Sequence, residues 1–294
     1  MSEASEARIL DRGYRRYEGP RRGVPGAMRS VVLAGIQRAL GLKRTFGAKI
    51  FPALAVMIAF IPAIVFVGLA IFIPEDVRNQ GILPGYGEYY AFIVSAIILF
   101  AAFVAPELLC TDRRTGMIGL YLASPLTRDT YLVSKGIAIL LVLSVVTLGP
   151  PLLMLVAFTL IGLGPDGPVA YLSLFGRMVV AAVAVSGLHT ALSLAISSIT
   201  DRKGVAAAAF ILAVLVTNAA ADTLILEADA SPYLSLMDLG GLPFELVTRI
   251  YGEPVESAQA AELGTMPVLA AYLGWTLACL ALVRWRYQKL QVSR

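Results

Sequence analysis

The sequence predicts an all-α membrane protein with six transmembrane helices and both termini in the cytoplasm, and three observations predict it. Of its 294 residues 58% are hydrophobic and the mean hydropathy is +0.77, more apolar surface than a soluble fold of this length can bury. The apolar residues gather in six uncharged runs, 50–73, 89–105, 136–165, 178–200, 204–221 and 263–283. A hydrocarbon core needs about 20 helical residues at ~1.5 Å each to be crossed. Finally, six spans divide the Lys and Arg residues 21 to 3, and the richer side is the cytoplasmic one.

Taken in order, residues 1–27 are rich in Arg, Gly, Pro and Glu and have little to bury, which predicts a disordered basic cytoplasmic tail. Its cluster of Arg12, Tyr14, Arg15, Arg16, Tyr17, Arg21 and Arg22 suits anionic lipid or a cytoplasmic partner, and equally a solvated tail that only fixes orientation. No compact apolar core ahead of a cleavage site appears in the first 49 residues, so the tail is expected to stay in the mature chain. Residues 28–46 carry Val32, Ile36, Ala39 and Leu40 at helical spacing with Arg38, Lys43 and Arg44 free to snorkel, the pattern of an amphipathic interfacial helix.

Residues 47–294 form the six-span domain. Pro52 and Pro62 should kink the first span, and Gly149-Pro150-Pro151 should break or bend the third near its middle, because each proline removes a backbone donor. The second run reaches membrane length only by continuing through Pro106 and Glu107 towards Cys110, and the fifth takes in Asp222 near its outer end. Gly204 and Ala206 to Ala209 open the fifth span with small residues that admit a close helical neighbour. Between spans two and three lies the polar segment 107–135, the one substantial cytoplasmic loop. Within it residues 116–123 read as a short helix with Met117, Leu120 and Tyr121 on one face, stopped by Ser124-Pro125, with Thr127 capping the next helix. The extracytoplasmic segment 227–262 holds seven acids and one basic residue, and Leu242, Leu246 and Ile250 at helical spacing predict short re-entrant or interfacial helices there.

The polar inventory excludes several chemistries. His189, the only histidine, shares its span with Ser186 and Ser193, and no G-x-S-x-G occurs, so an intramembrane serine protease lacks its parts. One histidine with Cys110 and Cys279, a pair that the topology keeps apart, makes neither a zinc site nor a disulfide. No phosphate loop of the form G-x-x-x-x-G-K-[ST] is present, so the chain is expected to hydrolyse no nucleotide by itself and not to be an enzyme. No groove-reading or stacking motif argues for nucleic acid. His189, Asn218 and Asp222 form a candidate intramembrane polar site, with Asn218 and Asp222 four apart on one face. They read either as a proton relay or as satisfied interhelical hydrogen bonds.

Asp112-Arg113-Arg114-Thr115-Gly116 resembles the charged turn after the second span in permease subunits of ATP-binding-cassette (ABC) transporters, in the type-2 exporter class with six spans per subunit. Leu120-Tyr121-Leu122-Ala123-Ser124-Pro125-Leu126-Thr127-Arg128 resembles that class's leucine-rich short helix, and Lys135 stands where the class has a lysine opening the third span. The long Arg/Tyr-rich leader departs from many members. The resemblance implies a permease in the bacterial cytoplasmic membrane, paired with a second permease copy or homologue and with two ATPase subunits. ATP and Mg would reside on those partners and no cofactor on this chain. Asp112, Arg113, Arg114, Thr115, Gly116, Leu120, Ser124, Pro125 and Arg128 would carry the coupling, and export is the expected direction. An ion-gradient-driven secondary transporter using His189 and Asp222, or a non-transporting membrane scaffold, would share the same spans.

Overall fold

The computed structural model describes residues 19, 22–42, 46–74, 83–228, 230–254 and 263–290. The chain runs through α1 (Gly23–Ala39), α2 (Gly47–Phe72), α3 (Tyr89–Arg114), α4 (Met117–Ala123), α5 (Arg128–Thr147), α6 (Gly149–Leu160), α7 (Gly167–Ile199) and α8 (Lys203–Leu226). A 3-10 turn (Pro232–Met237), α9 (Leu242–Tyr251) and α10 (Thr265–Lys289) complete it, and no strand occurs among the described residues. Six segments are long and apolar enough to cross a membrane: Lys49–Phe72, Tyr89–Arg114, Arg128–Leu160, Gly167–Ile199, Lys203–Leu226 and Thr265–Lys289.

The spans extend past the uncharged runs into charged residues. α3 reaches Arg114, as its shortness required, and α8 includes Asp222. α7 begins eleven residues before the expected 178, and Arg177 lies within it, donating to the Tyr251 carbonyl at 3.0 Å. α2 stays helical through both prolines. The third span does break, at Leu148, between α5 and α6. There Pro151 has no N–H to offer the carbonyl four residues back, and the Tyr90 hydroxyl donates to that Thr147 carbonyl at 2.9 Å. Gly149 leaves room for the Phe60 ring, which a Cβ would meet at 2.6 Å.

α3 and α7 form the centre. α7 packs on α3, α5, α8, α9 and α10 and presents small residues, among them Ala181, Ala182, Ala191, Ser193 and Ala195, that let backbones approach. Ser193 donates to the Ala101 carbonyl of α3 at 2.8 Å. α2, α8 and α10 sit at the periphery and turn apolar side chains such as Ile64, Leu212 and Leu277 outward, as lipid-facing helices do.

Two expectations are revised. α1 starts at Gly23, inside the segment read as a disordered tail, while residues 1–18 lie outside the described ones. It also packs on α5 and α3, burying Val31, Gly35 and Ala39, and a Cβ on Gly35 would come within 2.9 Å of Ala138. The helix therefore leans on the bundle instead of only lying along a surface. At the opposite end, α9 buries Leu242, Leu246 and Val247 with Ile250 half-buried, close to the expected face.

With Leu120 67% exposed at the basic end and Tyr233 60% exposed at the acidic end, these two positions test the orientation. Gly252 is unsuited to such a test, since its φ of +74° would strain a side chain. In a chain lacking Cys110 and Cys279, Leu120→Cys should react with an impermeant thiol reagent only from the cytoplasmic side and Tyr233→Cys only from the other. Labelling of both from one side would contradict six spans.

Candidate functional site

The polar segment after α3 folds into a small, well-terminated unit. Thr115 closes α3, its hydroxyl donating to the Thr111 carbonyl at 2.8 Å, and Gly116 turns the chain at φ +70°, a left-handed conformation natural to glycine. α4 then runs for seven residues and stops where the Ser124 hydroxyl returns to the Tyr121 carbonyl and Pro125 follows. Thr127 and Thr130 cap the start of α5 reciprocally. Ile118 and Tyr121 pack inward on the core, whereas Leu120 projects out, so Met117, Leu120 and Tyr121 do not share one buried face.

Behind α4 stands a buried charge cluster. Asp112, fully buried, accepts from the Arg38 guanidinium of α1 at 2.5 Å, from the Lys135 ammonium of α5 at 2.6 Å and from the Tyr131 hydroxyl at 2.9 Å. Lys135 lies 5.3 Å from the Tyr121 ring centre and 5.5 Å from that of Tyr131, within cation–π range. Tyr131 faces Tyr287 of α10 at 6.1 Å between ring centres. Burial disfavours the Arg38 charge, but the hydrogen bond and charge of Asp112 outweigh it and raise the guanidinium pKa. Burial, then the Asp112 charge, push the Tyr121 phenol up, so it stays neutral. One carboxylate thus joins α1, α3 and α5, and its ammonium partner reaches α4.

The same stretch of α3 holds its other neighbours. Arg113 donates to the Ser198 and Thr200 carbonyls at 2.7 and 3.1 Å, closing the C-terminus of α7, and Glu107 pairs with Lys203 of α8 at 2.5 Å. Arg128 donates to the Gln288 carbonyl at 2.6 Å. Of the predicted coupling residues, Arg114, Thr115, Gly116, Leu120 and Pro125 are exposed, Arg113, Ser124 and Arg128 are half-buried, and Asp112 is interior. Asp112 therefore meets no partner directly in this arrangement, and any part it takes in coupling runs through Arg38, Lys135 and Tyr131. The sequence reading treated Arg38 as a snorkelling cation and missed its pairing. Asp112 stands directly before Arg113 and Arg114, so in the sequence it reads as part of an exposed charged turn and gives no signal of the pairing.

The intramembrane candidates separate. Asn218 donates to Asp238 at 3.0 Å, and with Asp222, Glu88 and Glu245 these residues line a cavity of about 250 Å³ at the acidic end. His189 is fully buried elsewhere, with Nδ1 against the Val185 carbonyl at 2.8 Å and Nε2 without a hydrogen-bond partner among the described residues. Its ring faces Phe210 and Phe244 at 6.2 and 6.1 Å, so the three residues form no continuous relay. Cys110 and Cys279 are free and buried, and no group of three metal-ligating residues occurs among the described residues.

Six helices able to span a membrane around a central helix pair, with a short capped helix between the second and third, define a multi-pass membrane protein. The chain belongs to the ABC-2 family of transporter proteins, whose family model matches residues 34–292. Comparison with curated proteins gives no match.

Removing Asp112 should leave the buried Lys135 and the half-buried Arg38 uncompensated. Asp112→Ala is expected to cost about 3–5 kcal/mol, read as a lower unfolding temperature of the purified chain in detergent. Adding Lys135→Met to it should restore part of the loss, and additive damage in the double variant would show that the two residues act independently.

Proposed function

We propose that this chain is the permease subunit of an ATP-driven ABC exporter in a bacterial cytoplasmic membrane. It works with a second permease copy or homologue and with two ATPase subunits that bind ATP and Mg, and both of its termini lie in the cytoplasm. The observation that carries this reading is α4. It is a seven-residue helix fixed at both ends by tight turns, backed by the Asp112 cluster, and showing Leu120 67% exposed among the described residues. Arg114, Leu120 and Pro125 of this segment are all exposed, and arginine is among the residues that protein interfaces favour.

Force follows from the connections. A displacement of α4 by the ATPase passes through the short Thr115-Gly116 turn into α3 and through Lys135 into α5, and α3 carries it to α7 and α8 by way of Arg113 and Glu107. Membership of the ABC-2 family supports the same partnership in general terms. The chain's own part is mechanical: it forms the substrate path and converts the motion of its partner into a change of helix packing.

The test uses Leu120→Glu and Arg114→Glu, both exposed, in the assembled complex; Arg113 is avoided because it closes α7. Leu120→Glu should weaken binding of the ATPase subunit about tenfold or more, with the stability of the isolated chain unchanged. Unaltered assembly, ATP hydrolysis and transport in both variants would refute the coupling role of α4.

A further inference from the structure

At the basic end, between α1, α2, α3 and α8, lies a groove of about 290 Å³ whose lining includes Arg38, Phe51, Phe100, Phe103, Glu107 and Lys203. We propose that it holds one acyl chain of an anionic phospholipid from the cytoplasmic leaflet, with the phosphate at Arg38 and Lys203.

The groove is amphiphilic along its length. From Glu107 to Phe100 is seven residues of α3, or about 10 Å of helix, so the wall runs from the level of the charged groups well into the hydrocarbon. Phe51 and Phe103, in contact with ring centres 4.1 Å apart, together form one aromatic wall, the fully buried Phe100 backs the groove, and Phe103 remains 41% exposed. Gly204 leaves its edge open, since a Cβ there would meet nothing within 4 Å.

The charged end has capacity left for an anion. Arg38 places one guanidinium nitrogen on Asp112, and Lys203 places its ammonium on Glu107, yet their side chains stay 28% and 36% exposed. Further N–H groups on both can therefore face a ligand. Among the described residues that line the groove, the cations Arg38 and Lys203 stand against one carboxylate, Glu107. Basic pockets between spans on the cytoplasmic side attract phosphate-bearing lipid headgroups. A free phosphate would use only the charged end and leave the aromatic wall uncovered, and a second copy of the chain would have to supply an anion beside an apolar strip.

Electron paramagnetic resonance of chain-labelled lipids tests this with the full chain reconstituted in vesicles. Labelled phosphatidylglycerol should show an immobilised component at least about fivefold preferred over phosphatidylcholine, on the scale of one cation near a membrane surface. Lys203→Gln should lower that preference about fivefold, Glu107→Gln should raise it, and Phe103→Trp, which fills the slot, should remove the component. The opposite response to Lys203→Gln and Glu107→Gln separates a lipid site from a general loss of fold. Equal immobilisation of the two lipids would overturn the proposal. Displacement of labelled phosphatidylglycerol by glycerol phosphate would do the same, marking a site for a free anion. So would spontaneous cross-linking of two chains through Phe103→Cys in the background lacking Cys110 and Cys279, because a second copy would then cover the groove.

Discussion

The buried carboxylate of Asp112 is the constraint on which the basic end of this molecule depends. A carboxylate out of water is tolerated only with compensating charge and hydrogen bonds, and here Arg38, Lys135 and Tyr131 supply them from two other helices. Those partners fix the register of α1 against α3 and of α3 against α5. The close approach of α1 to α5 at Gly35 and Ala138 follows from the same register. Such an arrangement contributes specificity more than net stability, because its attraction is largely offset by the cost of desolvating three charges.

The acidic end is organised by a different rule, the need to satisfy backbone groups away from water. The Glu253 carboxylate accepts from the Gly87 and Glu88 amides at 2.9 and 2.8 Å, just ahead of α3, and Gly87 lies so close that a Cβ would overlap it. Asn218 reaches Asp238, and the Trp275 indole donates to the Leu236 carbonyl at 3.0 Å. The short helices between α8 and α10 are thereby tied to three different spans. At the basic end α4 is built in the opposite sense: tightly joined to α3 and α5, with Leu120 on its outer face exposed among the described residues.

Much of this was legible in the sequence. Six spans followed from six uncharged runs, and the break at Leu148 followed from two adjacent prolines, since both depend on properties local to the chain. The end of α4 at Ser124-Pro125 and the Thr127 cap were legible for the same reason. What the sequence did not disclose were pairings between distant residues. Nothing in the run around Arg38 tells a cation that snorkels from one that reaches Asp112, 74 positions away. Likewise Asn218 and Asp222 share a face and a cavity, as their spacing implied, but the partner that Asn218 found was Asp238, from the next segment. The early start of α7 was hidden because Arg177 reads as a boundary until its acceptor, the Tyr251 carbonyl, is known.

In the function we propose, the chain acts as a lever whose input is the short helix α4 and whose fulcrum is the charge cluster behind it. The family match places the chain among ABC-2 transporter proteins, and the account adds that α4 is the surface on which the ATPase acts. Incorporation of a photo-reactive phenylalanine at position 120, in the chain co-expressed with its phosphate-loop ATPase, addresses that statement most directly. The account predicts a covalent adduct with the ATPase from position 120 and none from position 233 at the opposite end. An intact complex in which position 120 captures no ATPase, or in which position 233 does, would contradict it.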